Sequence, residues 1–479
     1  MPNVEAYERA RDGLERRGPG RMVPDLARIT RLAELLGDPQ RGLPSVHVTG
    51  TNGKGSVVRM VGALCSAAGI TAGTYTSPHL QSVRERFGVA GRSISPARFA
   101  EVYDEVAVLA DLVDEESRRR DGAGADQVTY FEFLTAMAYW WFADTPVDVA
   151  VVEVGMGGRW DATNLLRGDV AVINAVAVDH PQLGADPAEI AGEKVGIVKA
   201  GTHVVSAPQT PEVTDVVRRT ADTVGASAVW TVGADVAVVS RSVAIGGQLL
   251  ALRVGDRVVD DVLLPLFGAH QAENAALALG AFAALTGAAF DDMEDDVIRH
   301  GLQAVVVPGR MEIVHREPTV LLDGAHNPHA AAALAAAVEE SFGFRELVLV
   351  VACLEGKDLT GILTALRGAA SHVVVTTVPS PRAVPVTTLH DAAVAVWEGT
   401  GVAVEAAADL DEAVDLALGI AAEGDGVLVT GSLHTVGAAR QRFLPVDDVA
   451  DDDAVVVEPA DEPDEAFDPL GEVGLDGDE

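Results

Sequence analysis

A glycine-rich turn, Gly50-Thr51-Asn52-Gly53-Lys54-Gly55-Ser56, separates an apolar strand pattern at Val46 and Val48 from a helix pattern carrying Val57, Val58, Met60, Val61 and Leu64. Backbone N–H groups of such a turn, backed by the positive end of a helix, form a cradle for phosphate. Lys54 is placed to neutralise β- and γ-phosphates, and the Ser56 hydroxyl to hold Mg²⁺. The spacing is shorter than G-x-x-x-x-G-K-[ST], because only two residues lie between Gly50 and Gly53, and Gly55 follows the lysine. The turn implies a nucleoside triphosphate site.

Further groups that could do chemistry sit at the ends of apolar runs. Glu153 closes VDVAVVE and leads into Gly155-Met-Gly-Gly158-Arg-Trp-Asp161. A carboxylate at the carboxyl edge of a parallel sheet, beside a phosphate loop, is suited to a second Mg²⁺ contact. Asp179-His180 closes the next apolar run, where His180 could bind a divalent metal or simply hydrogen-bond at the surface. Asp323 opens Asp323-Gly-Ala-His326-Asn327-Pro, which could bind a ribose hydroxyl or cap a helix. Arg310 lies in Pro308-Gly-Arg-Met-Glu312, at an interdomain joint from which a cation could reach phosphate.

The basic residues narrow the search. The chain has only four lysines, Lys54, Lys194, Lys199 and Lys357, against 31 arginines. Where arginine has taken over the generic surface role, lysine remains where a compact ammonium or a neutral amine is needed.

The elements that must position these groups follow from the pattern. Apolar strands alternate with helices from residue 43 onward, which predicts a doubly wound parallel α/β sheet. Alternation over about 202–266 predicts a small accessory sheet, and NAALALGAFAAL a helix that closes a first domain, 1–300. PTVLLDGAHNP opens a second α/β series with a helix at 329–342, giving a second domain at 308–445. Residues 446–479 carry fifteen acids and no Lys or Arg from Asp447 on, and are expected to form a disordered, solubilising tail.

Net charge is −37, of which −22 lies outside that tail. Such a balance argues against nucleic acid or an anionic membrane as partner, and requires local cations or metal to meet an anionic substrate. Cys65 and Cys353 are far apart in apolar runs, as buried thiols of a reducing compartment would be. With no apolar run of membrane-spanning length and no signal-like N-terminus, the expected location is the cytoplasm.

Nine ordered motifs between about residues 20 and 443 carry a resemblance: GTNGKGS, TSPHLQSVRERF, YFEFLTAMA, EVGMGGRWDATN, EKVGI, HQAENAALAL, PGRMEIV, DGAHNP and TGSLHTVGAAR. Together they resemble the folylpolyglutamate synthase/dihydrofolate synthase family, relatives of the Mur ligases. The resemblance implies a P-loop-containing, Mur-ligase-like ATPase and pterin-binding domain followed by a smaller Rossmann-like glutamate-ligase domain. It implies a reaction in which ATP phosphorylates a substrate carboxylate and the amine of L-glutamate displaces phosphate to form an amide.

Carried onto this chain residue by residue, the resemblance implies that Gly50 to Ser56, Asn274, Arg310, Asp323 and His326 bind ATP. Ser56, Glu153 and His180 would serve two Mg²⁺ sites, and Lys54, Lys194 and His180 would be catalytic. The lysine matching Lys194 is carbamylated in that family, where an arginine could not serve. Pterin contacts would come from Ser77, from Thr129, Tyr130, Phe131 and Glu132, and from Trp160, Asp161 and Ala162. The implied partners are ATP, L-glutamate and dihydropteroate or tetrahydrofolate, with a monomer expected. Departures are Pro181-Gln182 after His180, Val195 for the usual Ala, and His434 for the usual Tyr. A Mur-type ligase acting on a UDP-sugar peptide is the alternative within this class, which the TSPH and YFEF motifs disfavour. A nucleotide-binding homologue without turnover is the alternative outside it.

Overall fold

The computed structural model describes residues 2–18, 24–122, 124–178 and 181–446. Asp179, His180 and the acidic segment from Asp447 lie outside the described residues.

The first sheet has eight strands: β1 (Ser45–Thr49), β2 (Ala72–Tyr75), β3 (Phe87–Val89), β4 (Arg92–Ser93), β5 (Val149–Glu153), β6 (Val170–Ile173), β7 (His203–Ser206) and β8 (Ala228–Thr231). Their order is β4-β3-β2-β5-β1-β6-β7-β8, parallel from β2 to β8, with β3 and β4 as an antiparallel edge. SVHVT, VAVVE and VAVI, the three central strands, are buried at every position. Helices cover both faces, so these strands have no solvent-facing side, and the polar His47 and Thr49 of β1 are bonded internally to Thr163 and Gly157. Val149 and Val151 join Val57, Met60 and Leu64 of the helix Lys54–Ala67 on one face. Ala150 and Val152, one residue out of phase, pack with Phe133, Met137 and Phe142 of the helix Tyr130–Asp144 on the other.

The expected accessory sheet is smaller than the sequence pattern suggests. β7, the helix Pro211–Val224 and β8 extend the main parallel sheet. Only β9 (Val236–Ala244), β10 (Gly247–Val254) and β11 (Arg257–Leu264) form a separate antiparallel sheet, in the order β11-β10-β9. The reason is burial. Val204 and Val205 of β7 are inaccessible, whereas β9 is exposed at Val239, Ser240, Ser242 and Val243. Leu250, Leu252 and Val262 of this sheet pack on the helix Ala269–Thr286 through Leu279 and Phe282.

The second sheet contains β12 (Glu312–Arg316), β13 (Thr319–Leu322), β14 (Leu347–Val351), β15 (His372–Val375), β16 (Ala403–Ala406) and β17 (Gly426–Thr430), in the order β12-β13-β17-β14-β15-β16. Only β12 is antiparallel to its neighbour. β17 returns between β13 and β14, so the carboxyl ends of β13 and β17 lie side by side. The helix after β13 runs Pro328–Ser341, with the Asn327 side chain capping it through the Ala330 N–H.

Candidate active site

Three strand ends of the first sheet converge on the phosphate loop. β1 runs into Gly50, β5 ends on Glu153, and β6 on its far side leads into Asn174. Strand order reverses about β1, the place where open α/β sheets leave a crevice outside their carboxyl ends. A cleft with a cavity volume of about 260 Å³ opens there, and Asp323 and His326, in the loop after β13, with Leu433, at the start of the helix Leu433–Phe443, form its opposite wall.

The loop has a specific backbone demand. Gly53 caps the helix Lys54–Ala67 with φ of 77°, and a Cβ there would lie 2.5 Å from Asn174 Nδ2 and 2.6 Å from Asn274 Oδ1. Those two asparagines bond each other at 2.8 Å, and the Asn274 amide donates to Gln271 at 3.1 Å. Thr51 fixes the loop from the other side, donating from N to Ala175 O and from Oγ1 to Ala177 O, both at 2.8 Å. At Gly55 an added Cβ would sit 3.3 Å from Glu153 Oε2, so the glycine lets the helix start against that carboxylate.

Lys54 Nζ lies 3.9 Å from Glu153 Oε1 and donates to Thr51 O at 3.4 Å. Glu153 accepts the Ser77 N–H at 2.9 Å. Burial pushes its carboxyl above the usual range, against the opposing pull of Lys54. The Ser56 hydroxyl is buried beside this pair with no hydrogen-bond partner. An orphaned oxygen next to a buried carboxylate is the donor set of a hard cation that completes its shell with water and phosphate oxygens. Among the described residues no group of three or more His, Cys, Asp or Glu side chains could hold a metal. Ser56 and Glu153 fit Mg²⁺ in that sparse mode, while His180 lies outside the described residues.

Lys194 ends the helix Pro187–Lys194, is buried, and donates from Nζ to Gly50 O at 2.8 Å. Across the cleft Asp323 accepts the N–H groups of Met311 at 3.0 Å and Ala325 at 2.8 Å. Burial raises its pKa, with Arg310 opposing. His326 turns its Nδ1 to Gly324 O at 2.8 Å, and Arg310 also lines the cleft.

Gly50 to Ser56, Glu153, Lys194, Asn274, Arg310, Asp323, His326 and Ser77 thus share one cavity. The remaining residues singled out for a pterin do not line it. Thr129 and Glu132 form a reciprocal capping box, with Glu132 also taking Arg28 at 3.1 Å. Phe131 presses on Gly155, where a Cβ would lie 2.5 Å from its ring, and Tyr130 stacks under Arg86. Trp160 is half exposed, and Ala162 is buried against Leu166 and Tyr139 in a core beside the cleft. Asp161 is buried and accepts Thr163 Oγ1 at 2.5 Å and the Met156 N–H at 2.9 Å.

Asn174, Gln271 and His270 line the cleft without having been singled out. Asn174 carries the signal that marked Glu153, a polar residue directly after an apolar strand. Burial lowers His270 to a pKa of about 4, leaving it neutral at physiological pH.

Two α/β units with separate, mainly parallel sheets, and a phosphate loop of the first facing the second across a cleft, define an ATP-dependent ligase of the Mur type. Residues 309–433 match the family model of the Mur ligase glutamate ligase domain. The dihydrofolate synthase/folylpolyglutamate synthase of Mycobacterium tuberculosis is 46% identical over 90% of this chain and 92% of its own length. A solved Mycobacterium tuberculosis folylpolyglutamate synthase complexed with ADP superposes with a TM-score of 0.86 at 43% identity, covering 92% of this chain and 99% of that one. Escherichia coli FolC in complex with DHPP and ADP gives a TM-score of 0.77 at 29% identity, covering 90% and 95%. The chain belongs to the dihydrofolate synthase/folylpolyglutamate synthase family.

Proposed function

We propose that this ATP-dependent ligase joins L-glutamate to a folate carboxylate through an acyl phosphate, acting as tetrahydrofolate (folylpolyglutamate) synthase and also on dihydropteroate as dihydrofolate synthase. The observation that carries the reading is the cleft itself, where Lys54, Glu153 and the orphaned Ser56 hydroxyl face Arg310, Asp323 and His326. The relatives' names and the ADP and DHPP complexes support it.

In this reading the amides of Gly50 to Ser56 and the Lys54 ammonium hold the β- and γ-phosphates. Ser56 and Glu153 hold one Mg²⁺, and His180 serves a second. The metal supplies neutralisation of charge on the transferring phosphoryl group. Asn274 orients the loop through Asn174, Asp323 takes a ribose hydroxyl, and Arg310 and His326 meet the nucleotide from the second domain. Lys194, held against the Gly50 carbonyl, is carbamylated and acts as an additional anion beside the loop. Ser77, Thr129 to Glu132 and Trp160 to Ala162 position the pterin, and closure of the two domains keeps water from the acyl phosphate. We place the domain limits at 1–300 and 308–445. Two buried, unpaired cysteines suit a reducing cytoplasm.

Purified protein with ATP, Mg²⁺ and L-glutamate should release ADP and form an amide with tetrahydrofolate and with dihydropteroate. Glutamate-dependent turnover with a UDP-sugar peptide alone would favour the Mur-type substrate. No turnover with any of them would sink the ligase reading.

A further inference from the structure

The phosphate loop touches the second domain through a side-chain pair. Asn327 Nδ2 donates to Asn52 Oδ1 at 2.9 Å, and Asn52 Nδ2 returns a longer bond to Asn327 Oδ1 at 3.4 Å. Asn52 Nδ2 also lies 3.2 Å from His329 Nδ1. Asn52 sits at the tip of the loop, between Thr51, whose amide and hydroxyl are tied to the first sheet, and Gly53, which caps the helix of Lys54. Asn327 is buried and caps the helix Pro328–Ser341, its Oδ1 accepting the Ala330 N–H at 2.8 Å. Four residues before it stands Asp323, on the cleft wall.

We infer that Asn52 and Asn327 form a reciprocal amide latch that couples the phosphate loop to docking of the second domain. The pair rests on the ligase reading above and adds positioning residues to it. Two features carry the assignment. First, the pair joins backbone that is rigid on both sides, so a shift of the loop tip must either move the helix cap or break the latch. Second, among the described residues the polar ties between the domains that do not involve Asn52 lie away from the phosphate loop. Arg241 bonds Glu340 at 2.9 Å near the far end of the same helix, and Gln81 bonds Gln441 at 2.6 Å at the last helix. Those ties hold the domains together whatever the loop does. The ties that reach the loop run through Asn52, to Asn327 and to the neighbouring His329.

The consequence is kinetic coupling. With the latch made, a filled phosphate loop holds the second domain over the acyl phosphate. With it broken, the loop can bind nucleotide while the second domain stands off, and water competes with the glutamate amine for the acyl carbon. Attack by water returns the carboxylate and inorganic phosphate, so ATP is consumed with no amide formed.

Asn327→Asp separates capping from latching, since aspartate caps a helix as well as asparagine but cannot donate to Asn52 Oδ1. Wild type, Asn327→Asp, Asn52→Ala and the double variant are compared for ADP released per amide formed. The ratio should be near one in wild type and rise at least about threefold in each single variant, with kcat for amide falling about five- to tenfold and KM for ATP changing less, the scale of a typical intersite coupling. The double variant should be no worse than the worse single one. A second readout needs no turnover. ADP should slow hydrogen exchange at the amides of Ala330 and Ala331 in wild type and not in Asn52→Ala. Unchanged stoichiometry in both single variants, additive losses in the double variant, or ADP protection that persists in Asn52→Ala would each overturn the latch. Wild type without glutamate-dependent turnover would instead overturn the ligase reading.

Discussion

Replacing Glu153 by Gln should make the protein less active and no less stable, and the two effects have separate origins. Glu153 is 4% exposed, accepts the Ser77 N–H at 2.9 Å and lies 3.9 Å from Lys54 Nζ. Glutamine keeps the shape and can accept the same N–H, so only the charge is removed. Two unit charges about 4 Å apart at an effective dielectric of about 20 interact by roughly 4 kcal/mol. Losing most of that attraction for a cation in the phosphate site corresponds to about 10²–10³-fold in turnover. Stability moves the other way. Burial is the largest influence on this carboxyl and lifts its pKa, so the native state keeps the proton to higher pH than the unfolded chain does. Native stability therefore falls as pH rises from the unfolded carboxylate pKa through the raised folded one, and ionised Glu153 is a cost at neutral pH. Glutamine removes that cost. The assays are ADP release with saturating ATP, Mg²⁺, glutamate and tetrahydrofolate, and thermal unfolding at pH 7 without nucleotide or metal. Turnover within about threefold of wild type, under 1 kcal/mol, or a Tm lowered by more than about 4 °C, would refute the reasoning.

Gly53→Ala should cost about 1–3 kcal/mol in urea unfolding and weaken ADP binding by calorimetry, because its Cβ would meet the Asn174–Asn274 bond at a φ of 77°. Lys194→Ala should lose at least about tenfold in turnover, a little over 1 kcal/mol, with partial rescue by acetate. Carbon-13 bicarbonate should give a carbamate NMR signal in wild type that the variant lacks. Lys199, whose ammonium burial lowers to a pKa of about 8, binds fewer protons folded than unfolded between that value and the ordinary lysine range. Wild type should therefore gain stability relative to Lys199→Met as pH rises through that window, and a difference independent of pH would contradict it.

The nucleotide end of this molecule was legible in the sequence because its determinants are local. Strand, glycine turn and helix are contiguous over residues 45–67, and Glu153 announces itself as an acid closing an unbroken apolar run. Burial on both sheet faces leaves such a residue only the carboxyl edge. The same reasoning overextended the accessory sheet, since periodicity alone could not tell that β7 pairs in parallel with β6, and β8 with β7, rather than with β9. Thr129 and Glu132, which the resemblance implies as pterin contacts, form a capping box on the helix Tyr130–Asp144 outside the cleft lining, a placement no local pattern encodes.

What the sequence by itself determined is the set of groups available for chemistry: a short glycine loop suited to phosphate, Lys54 within it, and acids at strand ends. Tertiary structure alone decided which distant groups complete it. Asn174 meets Asn274 across 100 residues, and Asn52 meets Asn327 across 275. No local pattern encodes such pairs. A side-chain amide has the same propensities whether it faces water or a partner; packing of the helix Ala269–Thr286 on the first sheet brings Asn274 to Asn174, and docking of the second sheet's loops on the phosphate loop brings Asn327 to Asn52.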